Sequence, residues 1–144
     1  MKTTEPPVVV EQTFGTSPEK VWSALTSLEE MIQWFFPNIP AFEPKVGFKT
    51  NFNVTSDGRT FPHLWKVLEI NPGRRMVQEW KYKGYEGLAH VTFELQPVQG
   101  KTKLQVTATV LQDFPDDVPE FKRESCVVGR EYFIQQQLNN YFGN

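Results

Sequence analysis

The side chains whose types and spacing could do chemistry are two histidines, one cysteine and a glutamate in a strand-like run. His63 lies in "FPHLWKVLEI" and alternates in phase with Trp65 and Val67, so the three share a face. An imidazole there can act as a base or a metal ligand near neutral pH. A lone imidazole lacks the partners a metal requires, and no metal site is expected. His90 alternates against Ala89, Val91 and Phe93 and should face solvent. Glu69 follows Val67 at strand spacing; among aromatic rings its carboxyl would have a raised pKa and could move protons. A bulge before the "NPGR" turn would instead leave it in water. Cys126 has no histidine nearby in sequence and reads as a small packing residue. Neither a Gly-x-Ser-x-Gly elbow nor a phosphate-cradling glycine loop occurs, which argues against covalent catalysis and nucleotide hydrolysis. Arg74 and Arg75 read as a solvated pair beside a turn, and "DFPDD" as an exposed acidic loop. No catalytic residue and no cofactor is assigned.

The aromatic residues carry a stronger signal than the ionisable ones, at 14% of the chain. Trp34, Phe48, Phe52, Trp65, Trp80 and Phe93 come from different segments, yet each has inward phase or closes a helix. Such rings either pack into a core or wall a pocket. Thr50, Gln78 and His63 are interspersed with them and are positioned to orient a small, mostly apolar ligand by hydrogen bonds. Phe35 from the run "WFF", and Val128 and Tyr132 from the last helix, complete the expected lining.

Simple elements must hold these residues. "VVVEQTF" has the β-branched content of a strand. Ser17, Pro18 and Glu19 then form a helix start, with cap, first-turn proline and an acid at the positive end of the dipole. A second short helix, "LEEMIQWFF", ends at Pro37. From Phe42 to Leu111 apolar residues alternate between turn signals such as "SDGR", "NPGR" and "PVQG", which predicts a run of hairpins. "EFKRESCVVGREYFIQQQLNNYF" follows, with Val127, Ile134, Leu138 and Tyr141 at helical spacing and Phe121, Val128 and Tyr132 extending the stripe, a helix of about six turns. Antiparallel strands must bury one face, and this helix alone is long enough to cover it. The expected class is α+β with a helix-grip fold, in which a curved antiparallel sheet of six or seven strands surrounds a long C-terminal helix. Residues 1–144 read as a single domain.

The totals set the broad class. Fifteen basic and 17 acidic residues leave a formal charge of −2, so no field attracts nucleic acid or an anionic membrane. One cysteine permits no internal disulfide and fits a reducing, cytoplasmic setting. No apolar run is long enough to span a membrane. The oligomeric state stays open, a homodimer through a strand edge included.

"SPEKVWSALTSLEEMIQWFFP", "KVGFKTNFNVTSDGR", "WKVLEINPGRRMVQEW" and "GKTKLQVTATV" occur in an order that resembles the START/polyketide-cyclase-like (SRPBCC) superfamily. Within it they resemble the homologues of the heat-shock-protein-ninety ATPase activator. Arg130 departs from that pattern, standing after Gly129 where a tryptophan is common. The resemblance implies the helix-grip fold and a cavity between sheet and helix for a small hydrophobic or aromatic molecule. It also implies two other readings, a cyclase or aromatase without metal or cofactor and a co-chaperone module with a chaperone partner in a stress response.

Overall fold

The computed structural model describes residues 1–143. Strand β1 (Val8–Phe14) is followed by helices α1 (Pro18–Thr26) and α2 (Leu28–Trp34). Five strands come next: β2 (Lys49–Ser56), β3 (Arg59–Asn71), β4 (Arg75–Tyr82), β5 (Leu88–Val98) and β6 (Lys101–Gln112). A single 3-10 turn, Pro119–Phe121, precedes the C-terminal helix. That helix runs as α3 (Arg123–Arg130), a π-helical stretch Glu131–Leu138 and a last turn α4 (Asn139–Tyr141). It starts later than its sequence pattern suggests, because the turn at Pro119 takes up the first residues. Among the described residues no helix is long and apolar enough to cross a membrane.

The strands form one antiparallel sheet in the order β1-β6-β5-β4-β3-β2. Consecutive strands from β2 to β6 are neighbours, as hairpins require, while β1 returns to pair with β6. The Asp57-Gly58 turn has φ of 53° and 80°, the left-handed pair that matches the twist of a two-residue hairpin. Gln99-Gly100 does the same with φ of 48° and 81°, so a glutamine occupies a conformation that costs a side-chain-bearing residue energy. Between Val67 and Glu69 the pairing with β4 slips by one residue. This bulge turns Glu69 to solvent, where its carboxylate accepts from Arg75 Nε at 2.7 Å. The proton-shuttle option for Glu69 is thereby removed.

The first helix forms as its sequence dictates, with Ser17 Oγ accepting from Lys20 N and Pro18 in the first turn. Helix α2 ends at Trp34, two residues before the end of its apolar run, with Phe35 as its cap. The proline at 37 disfavours helix at Phe36, so Phe35 and Phe36 leave the helix axis and point independently. The main core joins one face of the sheet to the three helices through Phe14, Val21, Met31, Trp34, Val91, Leu104, Ile134 and Leu138. A smaller cluster of Phe61, Ala89, Phe114, Val118 and Phe121 closes one end of the sheet.

The C-terminal helix corrects one expectation. Ile134 and Leu138 are buried, but Val128 is 65% and Tyr132 45% exposed. Each residue advances a helix by about 100°, which rotates Val128 off the face that carries Val127 and takes Tyr132 with it one turn later.

Candidate ligand-binding site

Strand register aligns the inward aromatics of β2, β3 and β4 in rows. Thr50 lies opposite Trp65 and Phe52 opposite His63, while Trp65 faces Trp80 and His63 faces Tyr82 across the next pair. Trp65 and Trp80 stack at 4.7 Å between centroids with 15° between planes, and Phe52 meets Trp65 edge-on at 4.8 Å. The "WFF" run divides its work. Trp34 is 1% exposed and its Nε1 donates to Ala24 O at 2.8 Å, so it is a satisfied core residue. Phe35 stacks on Trp34 at 4.7 Å and reaches Trp65 at 5.4 Å. Phe36 goes further out, against His63 at 5.3 Å and Phe133 at 4.8 Å.

Beyond Phe36 a cavity of about 150 Å³ separates the sheet from the C-terminal helix. His63, Trp80 and Tyr82 form its sheet wall. Cys126, Gly129, Arg130 and Phe133 form the helix wall, at the i, i+3, i+4, i+7 spacing of one helical face. Phe121 closes the end. A space of this size accommodates about one benzene ring. Other hollows are larger, from about 170 to 680 Å³; those of about 280 and 680 Å³ are lined largely by polar and charged residues, Lys49, Lys66 and Lys81 in one and Lys20, Ser23 and Glu30 in the other. None of them is lined by the helix face that carries Cys126, Gly129, Arg130 and Phe133.

The cavity has a distinct electrostatic character. His63 Nδ1 lies 2.9 Å from Phe61 O, so this nitrogen carries the proton and Nε2 remains an acceptor. Burial, opposed by that carbonyl and helped by the charge of Arg130, pushes the His63 pKa down to about 4, and the ring is neutral at pH 7. Burial also pushes the Tyr82 phenol up to about 12. Arg130 places its guanidinium 4.4 Å from the Trp80 ring centroid. Its Nε is buried and has no hydrogen-bond partner among the described residues. Thr50 Oγ1 and Trp65 Nε1, on opposed residues of β2 and β3, are likewise buried and unpartnered.

Among the residues expected from sequence to line a site, His63 and Trp80 reach the cavity. Phe35, Phe52 and Trp65 form the layer behind it. Gln78 is buried with its amide oxygen accepting from Trp80 Nε1 at 2.8 Å, so it positions that indole. Phe93 and Trp34 belong to the main core, and Phe48 packs half-buried on Phe42. Val128 and Tyr132 lie on the solvent side of the helix. Sequence reasoning missed Phe36, Tyr82, Gly129, Arg130 and Phe133. The signal was present in the spacing of Cys126, Gly129, Arg130 and Phe133, but an apolar-stripe search passes over a face that contains glycine and arginine. Cys126 lies on this face, half-buried at the cavity wall.

A curved antiparallel sheet gripping one long helix, with two short helices after the first strand, defines the helix-grip fold of the SRPBCC class. The chain belongs to the Activator of Hsp90 ATPase homolog 1-like family, whose model matches residues 15–143. Protein CV1439 from Chromobacterium violaceum superposes with a TM-score of 0.79 at 19% identity, over 96% of this chain and 97% of that one. MLL2253 from Mesorhizobium loti superposes at 0.74 with 25% identity, over 96% and 97% of the two chains. CalU16 from Micromonospora echinospora does so at 0.67 with 22% identity, over 94% of this chain and 75% of that one. Comparison with curated protein sequences finds no match.

Proposed function

We propose that this protein binds a small aromatic molecule, about one ring in size, in the cavity between the sheet and the C-terminal helix. The observation that carries this reading is the cavity itself: Phe36, Trp80, Tyr82 and Phe133 wall a space that the neighbouring side chains leave open. Mostly apolar walls with a few placed polar groups are the usual make-up of a small-molecule site. Neutral His63 offers one acceptor, and the Tyr82 phenol offers one donor. The superfamily's ligand-binding members support the same reading at the level of fold alone. The single cysteine supports placing the protein in a reducing compartment, the cytoplasm.

Cys126 makes the reading testable, since it is the only cysteine and it lies on the cavity wall. Cinnamamide, a neutral planar probe, should bind in a calorimetric titration, and prior alkylation of Cys126 with N-ethylmaleimide should abolish the signal by filling the space. Undiminished binding to the alkylated protein, or no binding of any aromatic probe to the untreated one, would overturn the assignment.

The family's description supports a second reading, engagement of an Hsp90-type chaperone. The exposed pair Val128 and Tyr132, four residues apart on the helix's outer face, is the feature that would serve it. Stimulation of a purified chaperone's ATPase, reduced by V128S/Y132S, is the expected result; no stimulation ends that reading.

A further inference from the structure

Arg130 is the one cationic side chain in the helix wall of the cavity, and no carboxylate among the described residues forms an ion pair with it. The ion pairs of the described residues join Lys2 to Asp116, Arg59 to Glu120, Arg75 to Glu69 and Glu94, and Lys103 to Glu11. None involves Arg130. The carboxylate at the cavity rim, Glu120, is engaged by Arg59 at 3.3 Å. The two other titratable rings at the site do not alter the balance near neutral pH, because His63 is uncharged above about 4 and Tyr82 keeps its proton up to about 12. Arg130 therefore brings a positive charge to the cavity wall near neutral pH, alongside Met1, while the Glu120 carboxylate at the rim is already paired with Arg59.

The way Arg130 is held also matters. Its guanidinium lies over the face of Trp80, which anchors the cation through the ring quadrupole. A guanidinium anchored in this way keeps its planar fork of donors for an acceptor, and a carboxylate matches that fork with two parallel hydrogen bonds. A buried donor on a charged group is costly when left without an acceptor. Resting on the ligand-binding reading above, we propose that the cavity takes a planar aromatic carboxylate, its ring between Phe36, Phe133 and the sheet and its acid group on Arg130. Tyr82, on the sheet wall of the same cavity, offers a further hydrogen-bond donor.

The test is a pair of calorimetric titrations at pH 7.5 with cinnamate and cinnamamide, which share a shape and differ in charge. Cinnamate should bind more tightly by about tenfold or more, the usual worth of a charge-assisted hydrogen bond. Arg130→Gln should bring cinnamate down to the level of the amide and leave the amide nearly unchanged. Arg130→Lys keeps the charge without the fork and should fall between the two, which decides the matter if the glutamine variant does not fold. Equal binding of acid and amide to the native protein, or a preference that survives both substitutions, would overturn the carboxylate assignment while leaving the cavity as a ligand site. Failure of both probes to bind would overturn the ligand site and the carboxylate together.

Discussion

The two halves of the core use tryptophan differently. Under α1 and α2 the polar atoms among the apolar residues are satisfied: Trp34 Nε1 donates to Ala24 O, Thr102 Oγ1 to Thr16 O and Tyr141 Oη to Glu30 Oε1, each at 2.8 Å. On β2, β3 and the C-terminal helix, Thr50 Oγ1, Trp65 Nε1, Arg130 Nε and Asn139 Oδ1 are buried without a partner among the described residues, and a cavity remains beside Trp80. A protein closes its core where the requirement is stability, since an unpaired buried group costs about 1–3 kcal/mol. The space beside Trp80 is walled by aromatic rings and has an unpartnered guanidinium nitrogen at its edge, whereas the hollow beside α1 is lined by Lys20, Ser23 and Glu30. That difference in lining distinguishes a binding end from a structural end more firmly than the abundance of aromatic rings, which is shared by both.

The contrast is sharpest in a pair of substitutions. Trp34→Ala should lower the unfolding free energy by roughly 3–5 kcal/mol, as for other large-to-small changes in a packed core. Phe36→Ala removes a half-buried ring and should cost only roughly 1–2 kcal/mol of stability, yet it should lose the aromatic probe. Urea unfolding and calorimetry on the two variants measure both quantities. If Phe36→Ala binds normally, the two ends are alike.

A second difference appears with pH. His63 in the folded protein has a pKa lowered to about 4, against 6.5 for the free side chain. As pH falls below 6.5 the unfolded chain takes up a proton that the folded chain refuses. Stability contributed by the neutral ring is thus complete above that pH and declines until about pH 4. The loss should amount to roughly 3 kcal/mol, and His63→Phe should remove that part of the pH dependence. An equal slope in wild type and variant, measured by urea unfolding at pH 7, 5.5 and 4, would contradict the buried placement of His63.

Smaller effects come from two backbone positions. A Cβ added at Gly129 meets no atom within 4 Å, so Gly129→Ala should stabilise the helix by about 1 kcal/mol through its propensity alone. Gln99 sits at φ 48°, and Gln99→Gly should gain a few tenths of a kcal/mol up to about 1 by relieving that strain. Both gains are read from thermal or urea unfolding. A loss at Gly129 would mean that the cavity wall is closed there.

Much of this architecture was legible in the residues. The helix start at Ser17-Pro18, the Asp57-Gly58 turn and the alternation of β2 to β6 are local signals, and local signals survive into the fold. The α2 end and the C-terminal helix were less legible. There the outcome depends on which residues a proline forces off the helix axis and on which of several helical faces meets the sheet, and both are settled by tertiary contact. Trp34 and Phe36 are two residues apart in one aromatic run, yet one is core and the other lines the cavity. Nothing in the run separates them until α2 stops at Trp34. Arg130 departs from its family's pattern in the sequence itself, but its place over Trp80 follows from the packing of helix on sheet.

The four tryptophans permit the most direct test of the central claim, that the end of the core containing Trp80 is a ligand site and the end containing Trp34 is not. Their indole N–H resonances can be followed by two-dimensional nuclear magnetic resonance during titration with cinnamate. The Trp80 resonance should move on saturation while that of Trp34, bonded to Ala24 O, stays in place. If no indole resonance moves, or if Trp34 shifts as far as Trp80, the division of the core into a structural end and a binding end is wrong.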